Sequence, residues 1–115
     1  MSFEELVAQL EGIPFDELRK RYEGYFEFVL SEQHIKRLYP VLEQYFGTPF
    51  KPPGISPTKQ AEDITKKYGG IQKQQTLYFL QQDDNASCAM IWPWNDGHRV
   101  TVKLAQGALK EGKKS

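Results

Sequence analysis

The chain has 115 residues, 39% of them hydrophobic and 26% charged, with a formal net charge of zero and one cysteine, Cys88. That length suits a single domain with a real core, and the neutral balance offers no global field to draw in nucleic acid or acidic lipid. One cysteine can form neither an intrachain disulfide nor a thiolate metal site.

The start, MSFEELVAQL, is acidic and amphipathic rather than basic then apolar, so it does not read as a signal peptide. Ser2 and Glu5 make a capping-box pattern, and Phe3, Leu6, Val7 and Leu10 follow with helical spacing, so a first helix is expected up to Gly12. Pro14 suits the first position of a second helix, with Phe15, Leu18 and Tyr22 as its stripe and Gly24 as its end. Tyr25–Leu30, YFEFVL, is aromatic and β-branched and reads as a strand, although Tyr22, Phe26, Val29 and Leu30 would also fit a continuing helical face. Ser31 can cap a third helix carrying Ile35, Leu38, Tyr39, Leu42, Tyr45 and Phe46, which Pro40 should kink or split.

Gly47–Pro57 holds four prolines and no periodicity, and reads as a stiff, ordered loop packed by Phe50. Ser56 and Pro57 then look like the cap and first residue of a fourth helix lined by Ala61, Ile64 and Tyr68 and stopped by Gly69-Gly70. The last third reads as β: Ile71–Gln82, a turn at Asp83-Asp84-Asn85, then Ala86–Trp94 and His98–Ala105 as a hairpin.

The resulting expectation is an α+β fold in the order ααβααβββ. A three- to four-stranded, mainly antiparallel sheet ends in a C-terminal meander, with helices packed on one face. Residues 1–108 form the domain, and 109–115 read as a disordered basic tail. The longest apolar run, the seven residues Cys88–Trp94, is far below the roughly 20 that a membrane span requires. No membrane contact is expected, and the cytoplasm is the expected location.

Both tryptophans lie in Trp92-Pro93-Trp94, and their role depends on the hairpin register. A two-residue loop, Asp96-Gly97, would set Trp94 opposite Arg99 and Trp92 opposite Thr101, placing both indoles on a polar, basic face. A three-residue loop, Asn95-Asp96-Gly97, would set Trp92 opposite Val100 and Met90 opposite Val102, gathering apolar side chains on one face. If burial on a single face governs, the second register is expected, with Trp92 in the core and Trp94 at its rim.

No motif for nucleophilic, metal or nucleotide chemistry is present, so no catalytic residue, metal ligand or cofactor is assigned. His34 and His98 read as surface histidines, and Cys88 as a small buried hydrophobe. The residues singled out for binding are Trp94, His98 and Arg99 near the hairpin turn, with Phe50, Lys51 and Lys59 around the proline loop. The expected function is a protein-interaction or small-ligand-binding module, with homodimerisation through an open sheet edge or another protein as partner. The alternatives are a small enzyme with a pocket between loop 47–57 and the sheet, or a weak anion or phosphate binder using the helix start near Lys59. Nucleic acid is not an expected partner, because the chain is neutral and lacks an RNA-recognition strand.

Overall fold

The computed structural model describes residues 1–82 and 84–108, so the tail reading for 109–115 lies outside the described residues. The fold is α+β. A five-stranded antiparallel sheet has the order β1-β2-β5-β4-β3, with β1 Glu17–Tyr22, β2 Tyr25–Ser31, β3 Thr76–Gln82, β4 Asn85–Pro93 and β5 Arg99–Ala108. Three helices accompany it: α1 Phe3–Glu11, α2 Glu32–Phe46 and α3 Lys59–Thr65, the last continued by a 3-10 turn at Lys66–Tyr68. The meander β3-β4-β5 is as the sequence suggests. Among the described residues no helix is long and apolar enough to cross a membrane.

α1 forms as expected. Ser2 Oγ accepts from the Glu5 amide at 3.1 Å and Glu5 Oε1 accepts from the Ser2 amide at 2.8 Å, closing the capping box. Its apolar stripe Phe3, Leu6, Val7 and Leu10 is buried. α2 runs undivided through Pro40, whose ring lies on the solvent side. Ser31 takes the capping position of α2, but its side chain makes no cap bond and its Oγ is buried without a partner. α3 starts later than expected. Its cap is Thr58, which accepts from the Ala61 amide at 3.1 Å, and not Ser56.

The second predicted helix is a strand. β1 and β2 form a hairpin in which Tyr22 pairs with Tyr25 across the two-residue turn Glu23-Gly24. Gly24 has φ +79°, the conformation such turns demand, and a Cβ there would come within 2.9 Å of the Gln106 carbonyl. The stripe Phe15, Leu18, Tyr22 misleads because the segment folds back through Glu23-Gly24 and pairs with β2 along one edge, with Leu18 and Tyr22 left exposed. Every residue of β1 is exposed, and its register slips between Leu18 and Lys20, leaving Arg19 in a bulge.

The expectation of helices on one face fails in a way that decides the hairpin register. One sheet face carries Phe26, Phe28, Leu30, Tyr78, Ala89, Ile91, Val100, Val102 and Leu104, packed under α1 and α2. The opposite face carries Tyr25, Leu77, Cys88, Met90, Trp92 and Ala105, packed with Ala61, Ile64, Tyr68 and Ile71 of the α3 segment. A fully buried side chain such as Phe28 or Ile91 contributes roughly 1.5–3 kcal/mol relative to an exposed one. With both faces of β4 covered, burial no longer selects the register that collects apolar residues on one side.

Candidate functional site

The β4–β5 hairpin takes the register in which Trp92 pairs with Thr101 and Pro93 with Val100, correcting the expected pairing of Trp92 with Val100. The loop closes with Trp94 N–H donating to the Arg99 carbonyl at 2.9 Å and Gly97 N–H to the Trp94 carbonyl at 3.2 Å. Asp96 Oδ1 accepts from the amides of His98 at 2.8 Å and Arg99 at 3.2 Å, which fixes a longer loop than either simple alternative. Because β3 begins at Thr76 opposite Ile91, Pro93 lies beyond its reach, and its missing N–H leaves no ladder bond unmade.

Trp92 and Trp94 therefore share a face with Arg99, Thr101 and Lys103, yet they do not form an open platform. Trp92 lies beneath Gly69, with the Lys103 ammonium 3.5 Å from its ring centroid, and that ammonium also donates to the Tyr68 carbonyl at 2.8 Å. Trp94 donates from Nε1 to Thr101 Oγ1 at 2.8 Å and lies against the guanidinium of Arg99 at 4.5 Å and that of Arg19 at 5.9 Å. Both guanidiniums are themselves paired, Arg99 with Asp96 and Arg19 with Glu17. Most polar groups of the strip are thus paired within the chain, whereas Trp92 Nε1 is buried without a hydrogen-bond partner.

His98 Nδ1 meets Glu32 Oε1 at 3.0 Å, clasping the hairpin tip to the first turn of α2. The Glu32 hydrogen bond, then its charge, raises the His98 pKa above its ordinary value near 6.5. A raised folded-state value means that the clasp is fully formed below the unfolded pKa and is lost as pH rises through the folded one. An NMR titration is expected to place His98 above 6.5 and to bring it down in Glu32→Gln; an unmoved midpoint would show that the pair does not form in solution.

The other sequence-marked residues lie in other parts of the fold. Lys51 forms a bridge to Leu77 beside the edge strand β3 and is buried; its ammonium donates to the carbonyls of Gln72, Lys73 and Gln75 at 3.0, 2.6 and 2.6 Å. That cation is committed to the chain itself. Phe50 meets Phe79 edge-on at 5.5 Å and stays 40% exposed, so the proline loop is anchored by Lys51 more than by the ring. Lys59 pairs with Asp63 one helical turn on, at 3.6 Å and largely solvated.

A concavity of about 450 Å³ lies elsewhere, between the α3 segment and the β3-β4-β5 half of the sheet. It is lined by none of residues 47–57. Its origin is a row of small residues on one face: Ala86 pairs with Gly107, and Cys88 with Ala105. The α3 segment covers Leu77, Met90, Cys88 and Ala105 and leaves Ala86 and Gly107 half-buried at the outer end of the row. A Cβ built on Gly107 would meet nothing within 4 Å. Ile64, Tyr68 and Phe79 wall the hollow, and Gln60, Asp63, Lys67 and Gln81 rim it.

Cys88 at the floor is 4% exposed, and burial pushes its thiol up to about 12, so it stays protonated near neutral pH. Burial also raises the Tyr68 phenol, which remains a hydrogen-bond donor. Sequence reading missed this hollow because none of its residues forms a local motif. The available signal was the coincidence of small residues at Ala86, Cys88, Ala105 and Gly107, which only the correct register brings side by side. Among the described residues no group of three or more His, Cys, Asp or Glu side chains is arranged to hold a metal ion. No protein-family model, curated protein or solved structure matches this chain.

Proposed function

We propose that the protein is a small-ligand-binding module whose ligand rests its apolar part on Ala86, Cys88 and Gly107. The observation that carries this reading is a hollow of about 450 Å³ floored by small residues, a size typical of small-molecule sites. An apolar floor with separate polar groups at the rim suits a molecule with one greasy and one polar end. The protonated thiol of Cys88 makes the floor a surface to rest on rather than a nucleophile, which favours holding a ligand over transforming it.

Gly107→Leu tests the reading. Its side chain has open space to enter and its backbone lies outside the left-handed region, so the strand tolerates it. N-Phenyl-1-naphthylamine, an uncharged fluorophore that brightens in apolar sites, is expected to bind the parent and to bind Gly107→Leu about tenfold more weakly, with the variant at least as heat-stable. Equal binding by parent and variant would place the apolar site elsewhere.

A further inference from the structure

We infer that the ligand of the hollow is an organic anion, its acid group held by the Lys67 ammonium while its apolar part lies on the floor. This rests on the ligand-binding reading above. Two charged side chains rim the hollow, Asp63 and Lys67, and they differ in what already occupies them. Asp63 is paired with Lys59. Lys67, among the described residues, has no carboxylate partner; its contact is with the face of the neighbouring Tyr68 ring, 5.6 Å from the centroid.

Lys67 lines the hollow, and its ammonium lies 5.6 Å from the centroid of the Tyr68 ring, which walls the same hollow. The other groups around it are matched to an acid. Tyr68 keeps its phenolic proton, and Gln60 and Gln81 carry amide N–H donors on the same rim. An ionised acceptor roughly doubles the strength of each hydrogen bond it receives. A ligand of opposite sign would reach Asp63 only beside the cations of both Lys59 and Lys67.

Three molecules of one shape separate the possibilities: 4-phenylbutanoate, 4-phenylbutan-1-ol and 4-phenylbutylammonium. Each is titrated into the full chain while the backbone amide signals of Ala86 and Gly107 are followed by NMR. The acid is expected to bind about tenfold more tightly than the alcohol, with the ammonium compound weakest. Lys67→Gln is expected to bring acid and alcohol together, whereas Lys66→Gln, on the neighbour that does not line the hollow, keeps the preference. Equal binding of acid and alcohol to the parent overturns the inference and leaves the hollow as a site for neutral ligands; so does tightest binding by the ammonium compound. A preference for the acid that survives Lys67→Gln also overturns it, by placing the charge on another residue. Silence of both amides towards all three molecules would remove the ligand-binding reading itself.

Discussion

Lys51→Met is expected to destabilise the protein by about 2–4 kcal/mol, and to loosen two loops at once. Methionine keeps the apolar stem and removes the ammonium, which leaves the Gln75 carbonyl without that donor and the Gln72 and Lys73 carbonyls with only the amides of Gln75 and Gly54. An unsatisfied buried acceptor costs about 1–3 kcal/mol, and the weakening of the other two adds to it. At roughly 4–8 °C per kcal/mol for a small domain, the midpoint should fall by about 10–30 °C. Hydrogen exchange should quicken at Gly54 and Leu77, whose amides donate to the Lys73 and Lys51 carbonyls. Phe50→Ala, which removes only one half-exposed ring contact, should cost much less. A Lys51→Met variant that melts with the parent would mean that the prolines alone hold the loop.

The second large effect is expected at Gly69. Its φ of +105° is a conformation that L-residues rarely adopt, and a Cβ would come within 2.8 Å of Trp92 Cη2. Gly69→Ala therefore suffers twice: about 1 kcal/mol of backbone strain, and about 1–3 kcal/mol from driving the indole off its seat. Because Lys103 lies over the same indole and donates to Tyr68, the 3-10 turn should shift with it. The measurable outcome is a lower melting temperature together with altered Trp fluorescence. In Gly69→Ala combined with Trp92→Phe, the steric part should shrink while the backbone part stays, so the two costs should be less than additive. Strict additivity would show that the close approach between Gly69 and Trp92 is not the source of the damage.

What the sequence made legible is what local chemistry fixes. The Ser2–Glu5 box, the Gly69-Gly70 stop and the C-terminal meander each depend on residues within a few positions of one another. What it concealed depends on partners far along the chain. Leu18 and Tyr22 fit a helical stripe as well as they fit a strand, and the choice was made by Tyr25–Leu30 folding back through Glu23-Gly24. The Trp92 register could not be read from β4 and β5 alone, because the layer that buries Met90 and Trp92 comes from residues 61–71. The hollow inherits the same difficulty: Ala86 and Gly107 become neighbours only once that register is set. The binding residues marked from sequence were the conspicuous ones, Trp94, Arg99 and Lys51, and conspicuous side chains in a neutral, well-paired chain turn out to be tied to their own neighbours.

The exposed bulged strand β1 has a consequence for the protein at high concentration. An antiparallel meeting of two β1 edges, centred near the middle of the strand, would bring cations from the run Arg19-Lys20-Arg21 face to face, and like charges directly opposite each other are repelled. The bulge at Arg19 further spoils the straight row of donors and acceptors that a second strand would need. At the far edge, Lys51 takes the ladder position beside Leu77, one position of the seven in β3. The β1 edge is thus guarded against growing from molecule to molecule, and pairing through it should become easier once its charges are neutralised.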